Sequence, residues 1–140
     1  MADADGDAIY NGAIDNGTGI AAMLELARAY GKAAPTERSI LFLAVTAEER
    51  GLLGSEYYAS NPLYPLGKTV AVLNMDALAV GGPARNFTIS GNAQLELLDQ
   101  LIATAKQWNM VYSPDPKPEA GHFFRSDHFP MAKRGVPAIS

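Results

Sequence analysis

The sequence has no cysteine and only two histidines, His122 and His128. Without cysteine there is no disulfide framework, no thiolate metal site and no sulfur nucleophile, so any metal must be held by oxygen or imidazole. Charged residues are sparse at 19%, and the net charge of −4 leaves no basic surface for gripping a phosphate backbone, which argues against a nucleic-acid partner. No apolar run approaches the ~18 to 20 residues needed to span a bilayer, so no membrane partner is expected. Met1 to Asp7 carries neither the basic nor the apolar stretch of a signal peptide, and the sequence reads as a soluble chain without an address. Internal repeats and low-complexity tracts are also missing.

What is present suits one compact domain over residues 1–140. The 140 residues are 48% hydrophobic, a size and composition that exclude collagen-like, coiled-coil and largely disordered classes. Asp3, Asp5, Asp7, Asp15 and Glu25 all precede the first basic residue, Arg28, so the amino-terminal region attracts cations.

Periodicity predicts a helix over Thr18 to Tyr30, with Ile20, Met23, Leu24 and Ala27 on one stripe and Gly31 as the C′ glycine that stops it. A second helix is predicted near Gln94 to Trp108, with Leu98, Leu101, Ile102 and Ala105 on one stripe and Asn92 available as its cap. The unbroken apolar runs Ile40 to Val45 and Val70 to Leu73 read as buried central strands, and Phe87 to Ser90 and Val136 to Ile139 as further short ones. Pro137 cannot donate to a ladder, which puts the last strand at an edge or Pro137 at a strand start. The alternation predicts a layered α/β domain.

Open α/β sheets bind ligands beyond the carboxyl ends of their strands. Glu48 and Glu49 follow the run ending at Val45, Asp76 follows the run ending at Leu73, and Asp15 lies in the loop before the first helix. With parallel strands these four carboxylates converge on one rim, where they repel one another unless protonated or neutralised by a divalent cation. Each acid alone also has a plain structural role: Asp15 as a helix cap or Asx turn, Glu48 and Glu49 as favourable first-turn charge, Asp76 as a turn residue.

Four segments go further: Asn11 to Gly19 (NGAIDNGTG), Thr46 to Ser55 (TAEERGLLGS), Asn74 to Ala77 (NMDA) and Ser126 to Pro137 (SDHFPMAKRGVP). Their order and spacing closely resemble the zinc-dependent exopeptidase family of aminopeptidases Y and S. The resemblance implies a three-layer sandwich with a mostly parallel central sheet and helices on both faces. It implies two zinc ions, with Asp15 bridging them, Glu49 on one and Asp76 on the other, and a peptide substrate whose free amine lies near a zinc. Glu48 is then the general base, passing a proton from water to the leaving amine, a task open only to a carboxylate that is not itself a ligand. Asp127 orients the site, His128 matches a pocket histidine that is not a ligand, and Asn16 follows the bridging acid across a bond that is cis in the family. His122 has no matching role and reads as a polar loop residue.

The family's two zinc-binding histidines, in an upstream HxD-like segment and downstream of a GVPA-like strand, have no counterparts here. The sequence therefore reads as the middle of a larger catalytic domain, truncated at both ends, from a secreted or periplasmic parent. Taken alone it is expected to bind zinc weakly, to hydrolyse peptides poorly, and to form homo-oligomers through exposed sheet edges. Two other readings stay open: a glutaminyl-cyclase-like acyltransferase with one zinc, and a non-catalytic peptidase-like interaction domain.

Other signals carry less. Gly12 to Thr18 (GAIDNGT) has phosphate-loop glycine spacing but no Lys before Thr18, and Asp15 would repel phosphate. Ser126, Asp127 and His128 are consecutive and so cannot form a hydrolase relay. Asn16 and Asn86 begin sequons, and Trp108, Tyr57 and Tyr58 read as core or helix-face aromatics.

Overall fold

A computed structural model describes residues 9–91 and 95–140. Backbone contacts divide the chain into two compact units, Met1–Leu43 with Met75–Val80, and Ala44–Asn74 with Gly81–Ser140.

The first unit is built on helix α1, Gly17–Tyr30. Asn16 caps it, its side-chain oxygen accepting from the Gly19 amide at 3.0 Å, so the cap is Asn16 and not Asp15. The helix stops where the sequence predicts, but Gly31 is right-handed, with φ −65°, and donates to Ala27. Lys32 and Ala33 continue the turn by donating to Ala29, so no left-handed glycine is needed. Arg28 favours the negative end of the helix and pairs with Glu25.

The run Ile40 to Val45 forms no ladder among the described residues, and Ile40, Leu41 and Leu43 are exposed, contrary to the buried strand expected there. A central strand needs hydrogen-bonded neighbours on both sides and helices over both faces, which an apolar run does not itself supply. Phe42 does find a partner, its ring centroid 6.4 Å from that of Tyr30 on α1.

The second unit holds α2 (Leu53–Ser60), α3 (Glu96–Gln107), the short α4 (Phe129–Ala132) and four two-residue strands. Strand β1 (Val72–Leu73) pairs in parallel with β4 (Ala138–Ile139), and β2 (Asn86–Phe87) with β3 (Val111–Tyr112). Val136 to Ile139 shortens to the buried β4 and Phe87 to Ser90 overlaps β2 at Phe87, while Val70 to Leu73 is not the buried central strand expected: it shortens to β1, which has a single strand partner, and Val70 and Leu73 are exposed. Pro137 stands just before β4, where its carbonyl accepts from Val72 at 2.8 Å and its missing N–H costs nothing.

Helix α3 begins at Glu96 after Leu95, which makes no side-chain cap; Asn92 and Gln94 lie outside the described residues. Its apolar stripe appears as read: Leu98 and Ala105 are buried, and Leu98 packs with Ile89 and Ile139, flanked by Leu101, Ile102 and Tyr112. A second cluster joins α2, α4 and the segment before β4 through Ala59, Met131 and Val136, with Tyr58 and Val72 against it. Trp108, just after α3, is 77% exposed, and Tyr57 lies on the outer face of α2. Helices with short parallel strands place the chain in the α/β class.

Candidate functional site

In the first unit the structure joins the loops that carry Asp15 and Asp76. The Asn16 amide donates to the Met75 carbonyl at 2.9 Å, and its oxygen accepts from Ala77 at 3.3 Å as well as from Gly19. Thr18 repeats the pattern one turn on, donating to the Ile14 carbonyl at 2.7 Å and accepting from Leu78 at 2.9 Å. The backbones on both sides of Asp76 are thus pinned to the start of α1. Gly19 is buried at this junction, and a Cβ there would overlap both the Asn16 side chain and the Met75 carbonyl. That close approach is the physical reason for the second glycine of NGTG. Asp15 and Asp76 are both half-buried, and the Asp15–Asn16 peptide bond is cis, as the family resemblance implies.

In the second unit Glu48 and Glu49 stand on a single 3₁₀ turn, Glu48–Arg50. Left-handed residues flank it: Ala47 at φ 59° and Leu52 at φ 61°, with Gly51 at φ 96° between. Non-glycine residues in that region are uncommon and gather where a tight backbone shape is over-determined by its surroundings. The surroundings here are hydrogen bonds from Gly51 and Leu52 to the Glu48 carbonyl, from Leu53 to Ala47, and from Gly54 to Thr46 at 3.0 Å. A Cβ on Gly54 would overlap the Thr46 backbone, so only glycine lets α2 start this close to Thr46. The turn opens onto a cleft of about 450 Å³, with Glu48 and Glu49 on one side and Phe124, Arg125, Phe129 and Lys133 on the other.

The far wall is an aromatic cluster. Phe124 meets Phe129 edge-on at 5.2 Å, and Phe123 meets the His128 ring at 4.7 Å. His128 is fully buried at the start of α4, which makes it part of the wall's interior. Asp127 accepts from the Ser55 hydroxyl at 2.7 Å, and Asn74 donates to Ser126 at 2.7 Å and to Ser140 at 3.0 Å. His122 is exposed on the turn His122–Arg125.

Three carboxylates outside the predicted set have shifted ionisation, Glu25 being lowered by its hydrogen bond from Arg28. The guanidinium of Arg134, and secondarily Lys133, hold Glu56 down to about 2, tying α2 to α4. Asp115 is lowered by the Gly91 and Lys117 amides, which it accepts at 2.8 Å each.

The acids thus stand as two pairs, Asp15 with Asp76 in one unit and Glu48 with Glu49 in the other. They are the hard oxygen donors zinc accepts, but imidazole is missing from the set. Among the described residues no group of three or more His, Asp or Glu side chains is placed to hold a metal ion. The donors fit in kind and fall short in number.

Sequence reasoning missed Ser55, Glu56 and Asn74. Two of them border or lie inside the quoted segments: Ser55 ends TAEERGLLGS and Asn74 begins NMDA.

Comparison with known proteins identifies the family. The family model described as peptidase family M28 matches residues 2–140, and the chain belongs to that family. It is 50% identical over 50 residues to aminopeptidase YwaD of Bacillus subtilis, covering 36% of this chain and 11% of that protein. It is 33% identical over 136 residues to leupeptin-inactivating enzyme 1 of Streptomyces exfoliatus, 94% of this chain and 29% of the relative. The Mycobacterium tuberculosis protein named probable lipoprotein aminopeptidase LpqL is 38% identical over 84 residues, 59% of this chain and 17% of its own length. The chain therefore spans between 11% and 29% of the length of these curated relatives. No solved structure matches it significantly. Among the described residues no helix is long and apolar enough to cross a membrane.

Proposed function

We propose that this chain supplies core catalytic residues of a metallo-aminopeptidase that removes amino-terminal residues from peptides. The supporting observation is the double stitch through Asn16, which fixes the Asp15 and Asp76 loops to one helix start and so prepares two acidic ligands beside each other. Asp15, Glu49 and Asp76 are the oxygen ligands, completed by donors beyond the four acids. When bound, zinc supplies Lewis acidity toward water and a peptide carbonyl. Glu48, half-buried on its rigid turn, takes a proton from water and returns it to the leaving amine; Arg125 and the phenylalanines of the cleft wall receive substrate groups. Asp127 and His128 hold that wall in place.

The same proposal includes a single three-layer catalytic domain and an exported parent protein, the latter supported by the lipoprotein named among the relatives. The test is hydrolysis of leucine p-nitroanilide by the full-length gene product with added zinc. Glu48→Gln is expected to lower kcat by at least about a hundredfold, the usual weight of general acid-base catalysis, with KM little changed. An unchanged kcat in that variant, or cyclisation of amino-terminal Gln in place of hydrolysis, contradicts the assignment.

A further inference from the structure

We infer that Ser55 is a positioning residue that sets the place of Glu48 by joining the two walls of the cleft through Asp127. The inference rests on the assignment of Glu48 as general base. Ser55 is completely buried, so it reaches neither substrate nor bulk water. Its hydroxyl lies 2.7 Å from Asp127 Oδ1 and 3.1 Å from the Leu52 carbonyl. One hydroxyl has one proton to give. The Leu52 carbonyl already accepts the Glu56 amide at 2.8 Å, and the carboxylate is the stronger, closer acceptor, so the proton goes to Asp127.

This bond links residues 72 apart in sequence and adds a directional hydrogen bond to the apolar packing of Ala59 and Met131 between the wall carrying Glu48 and the wall carrying Phe124 and Phe129. The polar links of Lys133 and Arg134 to Glu56, and of Arg134 to Ser60, are exposed and screened by solvent. On the Glu48 side the path is stiff. Ser55 lies in the first turn of α2, Gly54 is locked to Thr46, and Gly51 and Leu52 both donate to the carbonyl of Glu48 itself. A shift of the Ser55 end of α2 is therefore passed to the Glu48 turn. An error of about 1 Å in a proton acceptor costs on the order of a hundredfold in rate, so a modest shift is measurable.

The test compares Ser55→Ala, Asp127→Asn, which keeps a side-chain oxygen to accept the hydroxyl, and Ser60→Ala, which on the same helix removes only exposed bonds to Arg134 and Glu56. The first readout is the carboxyl ¹³C signal of Glu48 in this chain. The second is kcat and KM for leucine p-nitroanilide in the full-length gene product. Ser55→Ala is expected to move or broaden the Glu48 signal and to cut kcat at least about tenfold while KM stays within about threefold. Asp127→Asn keeps the Glu48 signal near its original position, and Ser60→Ala changes neither readout. A Glu48 signal unmoved by Ser55→Ala, or Asp127→Asn moving it as far as Ser55→Ala does, overturns the inference. So does a loss in Ser55→Ala confined to stability, with kcat and KM intact. Should the unaltered protein hydrolyse nothing while the Glu48 signal still answers to Ser55→Ala, the positioning is upheld and the aminopeptidase assignment is what fails.

Discussion

Replacing Asn16 by Ala removes three hydrogen bonds at once: the cap on Gly19, the acceptor for Ala77 and the donor to the Met75 carbonyl. Loss of an Asn cap costs about 1 kcal/mol in a typical helix. Of the other two bonds, that to Met75 is partly shielded and that from Ala77 is exposed, so at up to about 1 kcal/mol each they bring the expected loss to about 2 to 3 kcal/mol. Asn16→Asp separates the contributions. It keeps an oxygen for the Gly19 and Ala77 amides but turns a carboxylate toward the Met75 carbonyl, so about 1 to 2 kcal/mol should be lost. Urea unfolding gives the totals, and amide hydrogen exchange at Gly19 and Ala77 localises them. A loss below about 0.5 kcal/mol in Asn16→Ala, within the range of an ordinary surface change, with exchange at both amides unaltered, would refute the claim that this side chain joins the two acidic loops.

Three further outcomes follow from the second unit and from the exposed apolar run. Leu98→Ala opens the cluster with Ile89 and Ile139 and should cost about 2 to 5 kcal/mol by urea unfolding, whereas an effect under about 1 kcal/mol would mean that α3 is not packed there. The folded-state value for Glu56 is about 2 against an ordinary 4.5, so its ion pairs stabilise the fold fully above 4.5 and lose that contribution as pH falls toward 2. The unfolding midpoints of the unaltered protein and Glu56→Gln should therefore differ at neutral pH and converge on acidification; a constant difference contradicts the pairing. Leu41→Lys, in the exposed run Ile40 to Val45, should lower the apparent mass in light scattering, and a monomeric unaltered protein would remove the expectation of self-association.

The parts of the fold written in local pattern were legible in the sequence. The stripes of α1 and α3 are 3.6-residue patterns, and they fall on the observed helices within a residue or two. The apolar runs were less informative because a strand exists only through its partners. Val70 to Leu73 shrank to Val72–Leu73, which pairs with β4, and Ile40 to Val45 gained no ladder among the described residues. Helix α2 begins inside TAEERGLLGS, where two glycines and a left-handed Leu52 hide its start from any propensity argument. The candidate acids stand out in the sequence as motif positions that the family resemblance picks out. Their supports do not. Whether Ser55 meets Asp127, or Asn16 meets Met75, is decided by contacts 72 and 59 residues apart, which spacing along the chain does not encode.

The central claim, that Asp15, Glu49 and Asp76 hold zinc while Glu48 stays free to move protons, is tested most directly by carboxyl-detected NMR during titration with zinc. The signals of Asp15, Glu49 and Asp76 should respond together, at whatever affinity the chain has, and that of Glu48 should lag behind them. A response centred on other carboxylates, or one in which Glu48 leads, would contradict it.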